Sequence, residues 1–411
     1  MSTLNVDKVD PSTGTALEIG TSGDTITVPS GATFVVAGTT EITGTNNVQR
    51  PNVNPLIING DMAVSQRATS VAGLTNGSDV YVALDRFGFN EYGAPSSIHT
   101  MTQEALTADE AYEDGFSTAL KMDVTTAQDP LSAADATMII YKFEGQDLQL
   151  IKKGTANAEK LTLAFWVKGT KTGTHICELF DKDNTRTCSQ SYTVDSTDTW
   201  EQKVVNFPAD TTGVLDNDNA RSLDISFFLS AGTNYTSGSL QTSWGAYSAT
   251  ESAVGQVNTC DSTSNNFHIT GVQLEVGEYT SSTIPPFQHE SYQDNFLRCA
   301  RYYTEYGGAA DASFTANYDL LCEANGTSAF RNATFWTPVP LRAVPSINNP
   351  TMVYFDYDTT TAETSAGTVT ILGGGEIMSC VSIGGSGAAN LVDAKITGCR
   401  VAAVLTMDAE L

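Results

Sequence analysis

The chain has 411 residues, 40% of them hydrophobic, and carries 47 Asp and Glu against 21 Lys and Arg, a formal net charge of -26. That balance excludes nucleic-acid backbones and anionic membranes as partners, because both are held by basic patches. The length exceeds one core, so two or three domains are expected. With only 17% charged residues, the surface must lean on Thr, Ser, Asn and Gly, a composition of strands and turns.

Met1 to Asp10 has neither a basic n-region nor an apolar h-region, so no signal peptide is expected. No apolar run is long enough to span a bilayer, so no membrane insertion is expected. Residues 1–50 hold very short strand candidates, Ala16–Ile19, Thr25–Val28, Thr33–Val36 and Thr40–Ile42, separated by Ser22-Gly23-Asp24 and Pro29-Ser30-Gly31. Besides Met1 the segment has twelve large apolar side chains, too few to offset the entropy of ordering it alone. It is either a disordered tail or a set of strands that wind with copies of themselves or dock on a partner. The second reading is favoured.

Asn46 to Pro55 reads as a linker. Strands are then expected at Ser117–Val124, Thr137–Phe143, Leu161–Lys168, Glu201–Phe207, Leu223–Leu229 and Phe267–Val276, with Tyr192 and Val194 on the return strand of a hairpin. A turn at Asp181–Asn184 would set Cys177 opposite Cys188. Strands so spaced, without intervening helices, imply an antiparallel sandwich over 51–290, with Ala231–Thr259 as a long surface loop. A helix over Ser291–Tyr306 would be capped by Ser291, with Tyr292, Phe296, Ala300 and Tyr303 on one face. A second β domain, 307–411, follows, with strands at Phe314–Cys322, Phe330–Trp336, Met352–Tyr357, Val369–Leu372, Ile377–Ile383 and Val401–Met407. The fold class is all-β. The seven cysteines, Cys177, Cys188, Cys260, Cys299, Cys322, Cys380 and Cys399, include no C-x-x-C pair and read as buried free thiols.

No G-x-S-x-G, H-E-x-x-H, Walker A or G-x-G-x-x-G motif occurs, and the four histidines share no ligand spacing. Carboxylates are so abundant that proximity alone is no evidence for a glycosidase dyad. The chain is read as a non-enzyme. Sugar binding needs flat aromatic faces and paired hydrogen-bonding side chains. The candidates are Tyr235, Trp244 and Tyr247 in the 231–259 loop. They either meet a sugar or pin the loop to the sandwich or a neighbouring chain. Trp166 lies opposite the Leu161/Phe165 face of its strand; it lines the other surface of its sheet or serves an interface or core. Asp85 and Arg86 are expected to form a buried or interfacial ion pair.

Several motifs carry a resemblance. Asn54-Pro-Leu-Ile-Ile-Asn-Gly-Asp-Met-Ala-Val-Ser-Gln-Arg67, Ala83-Leu-Asp-Arg-Phe87, Glu144-Gly-Gln-Asp-Leu148, Leu161-Thr-Leu-Ala-Phe-Trp-Val-Lys168, Ile269-Thr-Gly-Val-Gln-Leu-Glu275 and Arg298-Cys-Ala-Arg-Tyr-Tyr303 together resemble bacteriophage tail-fibre and virion-associated proteins. The resemblance implies a homotrimeric fibre whose central domain is a jelly roll similar to carbohydrate-binding modules. The Gly23–Ala32 run is similar to virion-proximal segments of such fibres. This implies attachment to a tail or adaptor protein through residues 1–50, with Leu4, Val6, Val9, Leu17 and Ile19 in that role. The host surface glycan is the implied partner, and the virion, made in the host cytoplasm, the implied location. A structural calcium is also implied by analogy with such jelly rolls, at Asn59, Asp61 and Glu275, although no calcium-loop spacing supports it. The alternatives are a spacer with no receptor site and a polysaccharide depolymerase.

Overall fold

The computed structural model describes residues 54–75, 77, 80–306, 320–324, 331–347, 352–356, 362–364, 370–371, 378–385, 397–401 and 405–411. The expected strands of residues 1–50, and the attachment residues Leu4, Val6, Val9, Leu17 and Ile19, lie outside the described residues.

The first large body is an all-β sandwich. Its strands in chain order are β1 (Ser70–Leu74), β2 (Phe87–Tyr92), β3 (Ile98–Ala105), β4 (Thr118–Thr126), β5 (Ala136–Glu144) and β6 (Leu161–Gly169). They continue as β7 (Gly173–Asp181), β8 (Arg186–Val194), β9 (Glu201–Phe207), β10 (Arg221–Ala231), β11 (Gly245–Ala246) and β12 (Asn266–Val276). One six-stranded sheet runs β1-β3-β4-β12-β6-β9 and the other β11-β8-β7-β10-β5-β2, with every pairing antiparallel. The chain crosses repeatedly between the sheets, as in a jelly roll.

The period-2 pattern explains the core. Leu161, Leu163, Phe165 and Val167 of β6 face Leu223, Ile225, Phe227 and Leu229 of β10 and Ile139, Tyr141 and Phe143 of β5 inside one buried cluster. The alternate residues of β5 and β10, including Met138, Ile140 and Phe228, lie in a separate cluster on the outer face of their sheet. Two layers of side chains therefore build on that sheet, one inside the sandwich and one outside.

Three local expectations are corrected. The β7–β8 hairpin pairs Asp181 with Arg186, so the loop is 182–185 and the register is Cys177↔Gln190 and Leu179↔Cys188. The two thiols are diagonal rather than opposite. The cause is Asp181, whose carboxylate accepts from Asn184 N at 3.0 Å and pairs with Lys153, while Thr185 takes φ 53°. The helix spans Tyr292–Ala300 rather than reaching Tyr306, and Ser291 caps it as expected, accepting from Asp294 N at 3.1 Å. Its buried face is Asn295, Cys299 and Ala300, while Tyr292 is 63% exposed. Polar anchoring sets this rotation: Asn295 accepts from Asn59 N at 3.0 Å and donates to Asp61 at 3.0 Å.

Beyond Ala300 the chain turns into β13 (Tyr303–Tyr306), which pairs antiparallel with Leu405–Asp408; Ser346–Ile347 pairs on the other side of that strand. Segments from both sides of residue 307 thus share one sheet. The remaining described strands form a seven-stranded antiparallel sheet that includes Leu320–Ala324, Arg331–Leu341, Met352–Asp356, Met378–Gly385 and Thr397–Val401. The last residues are clasped at the base of the sandwich. Arg86, 1% exposed, pairs with Glu410 and lies 3.5 Å over the Tyr302 ring. Arg67 reaches Asp408 at 3.1 Å and covers the Tyr303 ring at 3.7 Å. Asp85 faces Arg67 at 3.7 Å and accepts from Gln66, so the expected Asp85–Arg86 pair is replaced by two separate partnerships.

No helix among the described residues is long and apolar enough to cross a membrane.

Candidate functional site

The outer face of the β11-β8-β7-β10-β5-β2 sheet carries a cleft of about 430 Å³. Alternation builds its floor: Asn90 of β2, Met138 and Ile140 of β5, Asp224, Ser226 and Phe228 of β10, and Glu178 and Phe180 of β7 all point away from the sandwich core. Its wall is the 231–259 segment, which supplies Tyr235, Tyr247 and Ser252. That segment is a wall rather than a free loop because it is tied at both ends. Gly232 N donates to Asp135 O at 2.7 Å and Val257 N to Thr174 O of β7 at 3.0 Å. A Cβ on Gly232 would lie 2.1 Å from Ser132 O, so only glycine fits the close approach.

Aromatic rings line the rim. Tyr92, 44% exposed, stacks on Tyr235 with centroids 6.1 Å apart, and Tyr247, 40% exposed, meets Phe180 edge-on at 5.6 Å. The floor holds two carboxyls in different states. Asp224 is clamped by Arg221, whose Nε donates at 2.7 Å and whose Nη2 donates to the other oxygen. Glu178 accepts from the Ser189 hydroxyl at 3.2 Å and is bonded by Ser252. Burial pushes its carboxyl up to about 7, against the lowering effect of those hydroxyls, and nearby Asp224 adds to the rise. Burial likewise pushes the Tyr247 phenol up to about 12.

The sequence candidates divide. Tyr235 and Tyr247 line the cleft; Trp244 and Trp166 do not. Trp244 packs against the main core, donates from its indole to Pro208 O at 2.8 Å and lies under Lys153 Nζ at 4.8 Å, so it pins its loop. Trp166 sits on the outer face of the other sheet, half-buried, with its indole donating to Asp114 at 3.0 Å; Trp200 beside it donates to Asp109 at 2.7 Å. Asp109 also caps the one-turn helix Glu110–Glu113, which is thereby drawn over this face. Sequence reasoning missed Tyr92, Glu178, Phe180 and Asp224. The available signal was the outward half of each strand's alternation, in which an acid stands between apolar residues (Ile176, Glu178, Phe180).

The calcium reading does not fit its three residues. Asn59 Nδ2 donates to Val64 O at 2.8 Å and Asp85 O at 2.9 Å while its Oδ1 accepts from Val64 N at 2.8 Å, so the amide is committed to the backbone. Asp61 accepts from Asn295 and from Ala63 N, and Glu275 is buried in β12 opposite Thr162. Among the described residues no group of three or more His, Cys, Asp or Glu is placed to hold a metal ion. The Asn59-Gly60-Asp61 motif is explained by packing: Asn59 takes φ 61°, and a Cβ on Gly60 would lie 2.2 Å from Val272 O.

A buried Cys260–His99–Glu91 cluster imitates a catalytic constellation and is not one. Cys260 (3.9 Å), Ser97 (3.2 Å) and Glu91 (3.8 Å) all approach the same ring atom, Nε2, while Nδ1 has no hydrogen-bond partner. A relay requires the acid on the second nitrogen. Burial also pushes the Cys260 thiol up to about 11 and the His99 imidazole down to about 4, so at neutral pH the thiol stays protonated and the imidazole is too weak a base to take its proton.

No known family profile matches the sequence, and no curated protein sequence matches it. Among solved structures, the chain is similar to the enzymatically active domain of tailspike protein 4 of bacteriophage CBA120, at 13% identity and a TM-score of 0.27, covering 50% of this chain but only 21% of that one. It is similar to the family 11 carbohydrate-binding module of a cellulosomal cellulase of Clostridium thermocellum, at 12% identity and a TM-score of 0.25, covering 52% of this chain and 98% of the module. A CBM22 tandem domain from Paenibacillus barcinonensis matches at 11% identity and a TM-score of 0.23, over 85% and 93% of the two chains. At these values the likenesses assign neither family nor function.

Proposed function

We propose that this chain is a non-catalytic, glycan-binding protein of a phage tail fibre, trimeric, attached to the tail through residues 1–50 and presenting the cleft to a host surface polysaccharide. The observation that carries the glycan reading is the cleft itself. It is an open trough across a sheet face, with exposed tyrosine faces on the rim and hydrogen-bonding side chains on a partly apolar floor, the combination that sugar rings require. The fibre reading is supported by the residue motifs set out above and by a first segment too poor in apolar side chains to order alone.

A non-catalytic role fits the floor. Asp224 is neutralised by Arg221 and Glu178 is bound by hydroxyls, so the two carboxyls do not form a free acid and base. The test is binding of the purified full chain to host cells. Tyr92→Ala and Tyr247→Ala are each expected to weaken it about tenfold, and Trp166→Ala, on the opposite sheet, to leave it within about twofold. Unchanged binding in both tyrosine variants would favour the spacer reading, and release of reducing ends from host polysaccharide would favour the depolymerase. Light scattering of the full chain should give three times 43.6 kDa; a folded monomer refutes the trimer.

A further inference from the structure

Glu178 is the one carboxyl of the cleft floor that has no cation beside it. It is 6% exposed, its bonding partners are the hydroxyls of Ser189 and Ser252, and no Lys, Arg or His among the described residues forms an ion pair with it. The cleft's two cations are placed elsewhere. Arg221 is clamped on Asp224 by two hydrogen bonds, and Lys182 is exposed at the start of the 182–185 turn. The cleft that holds Glu178 is also lined by the aromatic residues Tyr92, Tyr235, Tyr247, Phe180 and Phe228.

Resting on the reading of this cleft as the glycan site, we propose that its ligand is an amino sugar with a free ammonium group, which pairs with Glu178. A buried carboxyl is stabilised in its charged form only by an opposite charge or by several donors, and the protein supplies two hydroxyls. An ammonium group supplies both the charge and the donors. The surrounding rings attract cations through their negative faces. An anionic sugar would set a second negative charge against Glu178 and Asp224 in a chain of net charge -26. A neutral sugar would bring hydroxyl donors to Glu178 but no positive charge. The rise of the Glu178 carboxyl to about 7, driven first by burial, agrees with a site that a positive charge would stabilise.

The test is calorimetric titration of the full chain at pH 7 with three tetramers: glucosamine, N-acetylglucosamine and the neutral glucan cellotetraose. The glucosamine tetramer is expected to bind at least about tenfold more tightly than the acetylated one, the size of one charge-assisted hydrogen bond. Glu178→Gln, which keeps the side chain's shape, is expected to erase that preference and to leave the weaker ligands within about twofold. Equal binding of the acetylated tetramer, no binding of the glucosamine tetramer, or a preference that survives Glu178→Gln each overturns the amino-sugar assignment. Host-polysaccharide binding that is lost on Tyr92→Ala, without any amino preference, rejects this inference and leaves the glycan site standing. Host-polysaccharide binding indifferent to Tyr92 rejects both.

Discussion

Replacing Glu410 by Ala tests the clasp that holds the last residues to the sandwich. Arg86 is 1% exposed, and its guanidinium is held by Glu410, by the Lys142 carbonyl and by the ring of Tyr302 at 3.5 Å. Without Glu410 a buried cation keeps a carbonyl and the ring faces of Tyr302 and Tyr141 but no counter-charge, a loss of about 3–5 kcal/mol against a total stability of roughly 5–15 kcal/mol. Urea unfolding followed by tryptophan fluorescence reads this directly, because Trp166, Trp200 and Trp244 all belong to the sandwich. With a slope of roughly 3 kcal/mol/M the midpoint should fall by about 1 M or more. Asp408, whose side chain is 37% exposed where it meets Arg67, is the control: Asp408→Ala should cost less than about 1 kcal/mol. The double replacement Arg86→Met with Glu410→Met should recover most of the loss, since apolar packing can stand in for a buried pair. A Glu410→Ala midpoint within about 0.3 M of the wild type would refute the reasoning, because solvent would then be reaching Arg86.

Burial holds His99 down to about 4. Its folded form therefore binds fewer protons than the unfolded chain below pH 6.5, and stability should drain away as pH falls from 6.5 through 4, by up to about 3 kcal/mol; His99→Gln should flatten that slope in urea midpoints measured across the range. Glu178 is shifted the other way, so its carboxyl costs stability as pH rises from 4.5 towards 7 and the cost is complete above 7. The stability of Glu178→Gln relative to the wild type should thus grow between pH 5 and pH 8. Cys177, Cys188, Cys260 and Cys299 are buried free thiols, each with its pKa raised by burial. Iodoacetamide and peptide mapping should find them unlabelled in the native protein and labelled in urea, and native labelling of Cys260 would contradict its enclosed position.

Much of the sandwich was legible because its strands obey alternation. Glu201–Phe207 is the strand expected, and Leu161–Gly169 and Asn266–Val276 depart from expectation by single residues. Phe87–Tyr92 was not seen, because its first five residues are all buried and no polar face marks the period. The hairpin register failed at one residue pair, where Asp181 spends its carboxylate on Asn184 and Lys153 and lengthens the loop. The helix was too long on paper because Tyr303 continues the face of Tyr292, Phe296 and Ala300, but its ring is claimed by Arg67, and that of the neighbouring Tyr302 by Arg86. The site was half legible. An aromatic in a Gly- and Ser-rich segment signals a special position without saying which: Tyr235 and Tyr247 reach the cleft, while Trp244, between them in sequence, turns to Pro208 and the core. Glu178 could be found only by knowing which side of β7 the second layer covers, and that depends on sheet order, a property of pairings distant in sequence.

Hydrogen exchange of the full chain with and without host surface polysaccharide tests glycan binding through the cleft most directly. Protection is expected in peptides covering 87–92, 176–182 and 233–252, the segments that frame the trough. Protection confined to the opposite sheet around Trp166, or no protection at saturating polysaccharide, would contradict it.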